Sequence, residues 1–335
     1  MKKYNSLSLI LLAAVLVDLP SSVRMVDTGS HRLQLRAAGR GTPTVLLETG
    51  AGGTIEDNWS KVWPEVAKFA QVVAYDRDGF GASEAGPKPR TGQKIAIELH
   101  TALGNAELKP PYVLVGHSLG GPFIHVFAHR YPTEVAGMLF VDPTGEQAGD
   151  GNPLEWAKSN YQEKLRVLED KLRKSRLSEE MQHWMQVMWA VSMKEREETL
   201  ARAPEEMRDG WAASLDRRIQ GFTEDESWEN VSSLSPTEQA AWTTLEQARA
   251  AWPLPDVPVI LLTSAKAGKN PSNTSQESAL EEERTRIKMD ECEKWIARFP
   301  KGRLIIAKKS GHHIPNDEPN LVIEAIRELV KEARN

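Results

Sequence analysis

Val113-Leu114-Val115-Gly116-His117-Ser118-Leu119-Gly120-Gly121 is the stretch that decides how this chain folds. The apolar run over 112–115 reads as a strand, and a helical pattern follows over 119–131. Between them Gly116-His117-Ser118-Leu119-Gly120 matches G-x-S-x-G in the strand, turn and helix context that the motif requires. Glycines on both sides let the backbone crowd, so a serine hydroxyl projects above the sheet edge. The helix N-terminus beneath it favours negative charge. The plainer alternative is a glycine-rich turn with an idle serine.

Working outward, short apolar runs alternate with helical patterns. Residues 23–38 read as a β-hairpin around Thr28-Gly29-Ser30, with Leu33 and Leu35 alternating. Residues 44–48 (TVLLE) and 71–75 (QVVAY) read as strands. Trp59, Val62, Trp63, Val66 and Phe69 keep a helical period, which predicts one helix over 56–70, and another is expected over 91–107. Strands are expected again at 137–141 (GMLFV), 258–263 (PVILLT) and 303–307 (RLIIA). A last helix starts near Pro319, with Val322, Ala325, Ile326, Leu329 and Val330 on one face. This alternation implies an α/β fold, a mostly parallel sheet with helices on both faces.

The alternation stops over 143–252, which is polar, helical and rich in Trp and Met. Ser235-Pro236-Thr237-Glu238 reads there as a capping box. The expected organisation is a core over 23–142 and 253–335, a helical cap over 143–252 and an apolar N-terminal segment over 1–22. Met181, Trp184, Met185 and Met188 keep helical spacing in the cap, with Trp156, Trp189, Trp211 and Trp242 elsewhere in it. Most of these are read as packing residues, and some as the lining of an apolar pocket.

Four segments, 46–53, 75–83, 112–121 and 310–319, resemble the α/β-hydrolase superfamily of serine hydrolases, esterase- or lipase-like with a helical lid. The resemblance runs from about Val23 to the C-terminus except over the insertion. It implies the α/β-hydrolase fold and Ser118 as nucleophile. The family's histidine sits in an S-G-H segment, which Ser310-Gly311-His312-His313 matches at His312, with His313 as rival. The chemistry needs such a group. A serine hydroxyl is a weak nucleophile until an imidazole takes its proton, and histidine titrates near neutrality. His117 is read as packing or bonding locally, and His100, His125 and His183 as non-catalytic. Tyr75-Asp76-Arg77-Asp78-Gly79-Phe80-Gly81-Ala82-Ser83 resembles the family's D-x-x-G-x-G-x-S turn. That turn is read as structural, without a direct catalytic role for Asp76 or Arg77.

The acid departs from the commoner pattern. Many relatives carry it after the strand at 258–263, where this chain continues Ser264-Ala265-Lys266-Ala267-Gly268-Lys269-Asn270 without a carboxylate. A second family location, the end of the preceding strand, holds Phe140-Val141-Asp142-Pro143. Asp142 is therefore assigned as the orienting acid, with Glu146 as its rival. An N-cap or turn role before Pro143 is the structural alternative. By the same resemblance the oxyanion hole is formed by the backbone N–H groups of Ala51 and Leu119. Ala51 lies in Thr49-Gly50-Ala51, where relatives often have His-Gly-x.

Composition narrows the remaining classes. Hydrophobic residues make up 40% and charged residues 27%, enough apolar material for a sizeable core. A net charge of -5 gives no electrostatic reason to expect nucleic acid or an anionic membrane as partner. The single cysteine, Cys292, rules out an internal disulfide and a cysteine metal cluster. It keeps helical spacing with Trp295, Ile296 and Phe299, so burial is expected. Neither H-E-x-x-H nor G-x-x-x-x-G-K-[ST] occurs. No cofactor or metal is expected, and the expected partner is a small acyl substrate.

Lys2, Lys3 and the apolar run over 7–17 resemble an export signal, too short to span a bilayer. The alternatives are an N-terminal membrane association, or a cytoplasmic protein whose first helix packs on the domain. The expected activity is hydrolysis of a carboxylic ester. Amides, thioesters, lactones and carbon–carbon bonds use the same machinery, and a ligand-binding, receptor-like protein or an interaction scaffold could share the fold. The family's dehalogenases and epoxide hydrolases use aspartate where this chain has Ser118.

Overall fold

The computed structural model describes residues 22–52, 54–88, 90–145, 153–175, 177, 179–221, 241–265 and 274–335. The expected export segment, Ser235-Pro236-Thr237-Glu238, Glu146 and the side chain of Trp242 lie outside the described residues.

Eight strands form one sheet: β1 (Ser22–Asp27), β2 (Arg32–Ala38), β3 (Thr44–Glu48), β4 (Gln71–Tyr75), β5 (Tyr112–His117), β6 (Val135–Val141), β7 (Val259–Ser264) and β8 (Gly302–Ala307). Their spatial order is β1-β2-β4-β3-β5-β6-β7-β8. β1 and β2 pair antiparallel as the expected hairpin, and β2 is antiparallel to β4. Every other pairing is parallel. The central strands β3, β5 and β7 are buried at every position. Their near-continuous apolar runs reflect burial on both faces rather than alternation.

Neighbouring residues of each strand feed different cores. Leu46, Val73, Leu114, Phe140 and Leu261 pack on one face against Leu99, Leu103, Ile124, Phe127 and Trp295. Val45, Leu47, Val113, Val115, Leu139 and Leu262 pack on the other against Trp59, Val62, Val322, Ile326 and Leu329. The first face belongs to helices α3 (Gly92–Asn105), α4 (Gly120–Arg130) and α9 (Ser275–Ile296). The second belongs to α1 (Ile55–Trp59), α2 (Trp63–Val66) and α11 (Pro319–Glu332).

The single helix expected over 56–70 is two short ones. Pro64 is the reason: it has no N–H to donate to Ser60 O four residues back, so the ladder breaks there and a new helix starts around the proline. The periodicity still reported burial correctly, since Trp59, Val62, Trp63 and Val66 are all buried.

Between β6 and β7 the described residues contain only helices: α5 (Pro153–Arg173, kinked at Tyr161), α6 (Glu179–Ala201), α7 (Glu205–Gly221) and α8 (Ala241–Ala250). Met181 and Met185 are buried and Trp184 and Met188 partly buried in one cluster with Leu165, Leu168 and Trp189, so this stripe packs helix on helix. Trp211 is buried in a separate cluster with Leu215 and Leu280 of α9. α8 sits differently. Ala248 joins the core on the α3 and α4 side, and the ring nitrogen of His125 donates to Ala251 O at 3.2 Å. The end of the insertion is thus fastened to the core. Among the described residues no helix is long and apolar enough to cross a membrane.

Candidate active site

The site lies at the carboxyl ends of parallel strands, where open α/β sheets place their ligands. Ser118 follows β5 directly and adopts φ 54°, a region L-residues other than Asn and Asp rarely visit. Three backbone hydrogen bonds hold it there. Its N–H donates to Val141 O (3.0 Å), and its carbonyl accepts from Gly121 N (3.0 Å) and Thr144 N (3.0 Å). The turn also needs its glycines. A Cβ on Gly116 would lie 2.4 Å from Gly120 O, and one on Gly120 would lie 2.6 Å from Glu48 O. Gly120→Ala is expected to cost about 1–3 kcal/mol as an overpacked site. The measurements are a lower Tm and, because the loop after β3 must shift, lower turnover in the folded fraction.

Ser118 Oγ is 2.8 Å from His312 Nε2, and His312 Nδ1 is 2.8 Å from Asp142 Oδ2. A carboxylate only accepts, so Nδ1 carries the ring proton and Nε2 accepts from the serine hydroxyl. The loop bearing His312 is fastened by Glu318, whose Oε2 accepts from Lys309 N (2.9 Å), Ser310 N (2.9 Å) and Ser310 Oγ (2.8 Å). His313 is the N-cap position of α10 (Ile314–Asp317), and its ring centroid lies 5.6 Å from that of His312. The imidazole that meets Ser118 is therefore His312's. Thr144 Oγ1, at 3.2 Å from Ser118 Oγ, is a second polar neighbour.

Asp142 follows β6 with φ 42° and is buried. Its Oδ1 accepts from Ser264 N (3.0 Å), Thr263 Oγ1 (3.0 Å), Ser264 Oγ (3.2 Å) and Lys288 Nζ (2.6 Å). Burial alone would raise this carboxyl's pKa. The hydrogen bond from His312 and the charge and hydrogen bond of Lys288 outweigh it and hold the group well below the usual carboxylate range. Ser264, which opens the 264–270 stretch without a carboxylate, donates to Asp142 from the neighbouring strand.

The loop after β3 is gripped from two sides. Arg77, fully buried, donates through Nη1 to Glu48 Oε1 (2.7 Å), Thr49 O (2.6 Å) and Thr49 Oγ1 (2.9 Å), and through Nη2 to Gly50 O. Tyr75 OH donates to the other oxygen of Glu48. Gly50 N–H donates to Asn58 Oδ1 at 3.1 Å. In a trans peptide the C=O and the following N–H point in opposite directions. Drawing the Gly50 carbonyl onto Arg77 therefore turns the Ala51 N–H outward, away from the buried guanidinium. A Cβ on Gly50 would meet Ser118 Cβ at 3.1 Å, so this loop and the serine turn are in direct apposition.

His117 has the local role expected of it. Its Nε2 lies 2.9 Å from His312 O and its Nδ1 2.7 Å from Asn58 Oδ1, and the neutral ring donates its one N–H to one of these two oxygens. Burial pushes its pKa down to about 4. His100 contacts Glu134 and His183 contacts Glu246. Cys292 is buried, and burial pushes its thiol up to about 11, which leaves it inert as a nucleophile at neutral pH.

The structure brings Ser118, His312 and Asp142 together, adds Lys288, Thr144 and Asn58, which the sequence did not single out, and gives Arg77 more than a place in a turn. The 75–83 turn is structural in part, as read: Asp76 Oδ1 accepts from Ile55 N (2.9 Å), and Ser83 Oγ donates to Asp76 O (2.6 Å). Arg77 does more, because it reaches the loop beside the serine. Nothing in the spacing of Lys288 betrays its role. It lies 24 positions beyond Ser264, well inside α9. Among the described residues no cluster of His, Cys, Asp or Glu is placed to hold a metal ion.

An eight-stranded, mostly parallel sheet with a serine on a strained strand-to-helix turn defines the class of α/β hydrolases. The chain belongs to the alpha/beta hydrolase family, whose model matches residues 45–325. It is similar to 2-hydroxy-6-oxo-2,4-heptadienoate hydrolase of Pseudomonas putida, 30% identical over 40% of this chain and 49% of that protein. It is also similar to the probable transporter efuK of Hormonema carpetanum, 33% identical over 39% of this chain and 20% of that protein. The chain thus spans half or less of the length of these two relatives. A solved structure of a thermophilic esterase from Thermogutta terrifontis superposes with TM-score 0.52 at 19% identity, covering 94% of this chain and all of that one. At that identity the likeness concerns the fold.

Proposed function

We propose that this α/β hydrolase cleaves small or medium apolar carboxylic esters through an acyl-enzyme, with Ser118 as nucleophile, His312 as general base and Asp142 as orienting acid. The observation that carries this reading is the unbroken chain of two 2.8 Å contacts from Ser118 Oγ through the His312 ring to Asp142. Ser118 Oγ attacks the ester carbonyl carbon as His312 Nε2 takes its proton. The carbonyl oxygen becomes an oxyanion facing the N–H groups of Ala51 and Leu119, donors of the kind that supply the largest catalytic term. The tetrahedral centre then collapses, the ester C–O bond breaks, and the His312 proton leaves with the alcohol. Water repeats the sequence on the acyl-serine and releases the carboxylic acid. Asp142 stabilises the imidazolium in both halves.

The helices between Pro143 and Trp252 form the cap in this reading, and those of its apolar side chains left partly buried, Trp184 and Met188 among them, favour an apolar acyl or alcohol group. The N-terminal residues suit export or membrane association, which we propose on sequence alone.

A series of p-nitrophenyl esters from acetate to long acyl chains tests the substrate class. The expected result is saturable hydrolysis with a maximum at short or medium length, lost in Ser118→Ala. The relative from Pseudomonas putida favours a second reading, hydrolysis of a carbon–carbon bond beside a ketone. Cleavage of a 2-hydroxy-6-oxo-dienoate without turnover of any ester would select it.

A further inference from the structure

Asp142 presents its two oxygens to two different partners. Oδ2 faces His312 at 2.8 Å, while Oδ1 faces the ammonium of Lys288 at 2.6 Å. Lys288 comes from α9, the long helix after β7. Its Nζ also donates to Ser264 Oγ (3.0 Å) and Ser264 O (3.3 Å), so all its polar contacts converge on one corner of the site. The carboxylate is 6% exposed and the lysine side chain 37% exposed, which leaves the pair only partly screened by solvent. A charge-neutralising cation on the acid is not required by the proton transfer itself. It has two physical consequences. It fixes the carboxylate's rotation, so that Oδ2 stays on the imidazole. It also reduces the negative charge felt by the imidazolium.

We infer that Lys288 is a positioning residue for the Ser118–His312–Asp142 chain, fixing the acid's orientation and setting the pH at which the base becomes available. This inference rests on the proposed roles of those three residues. The other titratable groups around the acid are Cys292 on the same helix, with Glu291 beside it, and His312 itself. Around the imidazole they are His117 from β5, at 4.9 Å between ring centroids, and His313 on the same loop, at 5.6 Å. None of these supplies a second cation against Asp142 Oδ1, whose donors are Lys288, Thr263 and Ser264. The sign follows from Coulomb's law. Removing the cation leaves the carboxylate's charge unopposed, which favours the protonated imidazole. The base then becomes available only at higher pH.

The test is the pH profile of kcat/KM for Lys288→Met, Lys288→Gln and Lys288→Arg in the full chain, on whichever p-nitrophenyl ester the wild type turns over best. Circular dichroism and thermal melts establish that each variant is folded. The acidic limb of the Met and Gln variants is expected to move up by about one pH unit, the scale on which a close opposite charge acts. Their plateau rate is expected to fall severalfold. Lys288→Arg, which keeps the charge and the donors, is expected to restore the wild-type limb. A limb unmoved in both uncharged variants overturns the inference, as does an equal loss at every pH in all three. Ser118→Ala, run alongside, separates this from the parent reading. If it is inactive while the lysine variants keep the wild-type limb, only the role of Lys288 falls. If it stays active, both fall.

Discussion

Ser118→Ala is expected to lower kcat by about 10⁶-fold with the fold intact, the scale seen when a serine nucleophile is removed from such a unit. The side chain is small and sits at a turn that backbone hydrogen bonds define, so the variant loses one oxygen and little packing. Its positive φ even makes the native residue a source of strain, and an alanine there is no worse sterically. Tm should therefore stay within a degree or two of wild type. The loss is chemical: without Oγ, His312 has no hydroxyl to deprotonate. Steady-state kinetics on the preferred ester, read beside a thermal melt, checks both parts.

Asp142→Asn is expected to cost about 10⁴-fold in kcat, because an amide can present its NH2 to Nδ1 and so select the wrong tautomer. In that state Nε2 carries the proton and cannot accept one from Ser118. A second consequence is particular to this chain. Lys288, Ser264 N and Thr263 Oγ1 all donate to Asp142 Oδ1. Asparagine must therefore keep its oxygen toward that side, which forces its NH2 toward His312. The wrong tautomer is thus selected by the surroundings as well as by chemistry. Loss of the carboxylate also leaves Lys288 without its counter-charge, so a modest fall in Tm accompanies the kinetic loss. The acid's pKa gives the pH dependence of stability. Its folded value is held below the ordinary one, so its contribution is present above the ordinary carboxylate pKa and is lost as pH falls through the folded value. Asp142→Asn should lack that part of the acid-side stability loss.

Much of this site was legible because it depends on local backbone chemistry. Gly116 and Gly120 announce a turn in which no side chain fits, and the flanking strand and helix patterns locate it. His312 and Asp142 are legible through the resemblance, in a segment matching the family's S-G-H and at the family's second acid location, and both lie where a parallel sheet gathers its carboxyl ends on one edge. What stayed hidden depends on tertiary geometry. Arg77 carries no signal beyond its place in a turn motif, yet its guanidinium ends on two carbonyls of the loop after β3. Lys288 lies 146 positions from Asp142 in the chain, in a helix dense with Glu, Arg and Lys where one more lysine does not stand out. The break of the helix over 56–70 was visible in Pro64, but the strong period of its buried residues masked it. The Met and Trp stripe of α6 shows the reverse. Its spacing fitted core packing as well as pocket lining, and the structure resolves it as packing for Met181 and Met185.

The account stands or falls on whether Ser118 is an activated nucleophile. Treatment of the folded wild type with a fluorophosphonate, followed by peptide mass mapping, measures this without assuming any substrate. The predicted result is one stoichiometric adduct on Ser118, absent from Ser118→Ala and strongly slowed in His312→Ala. A folded protein that acquires no adduct, or acquires it on another residue, contradicts the account.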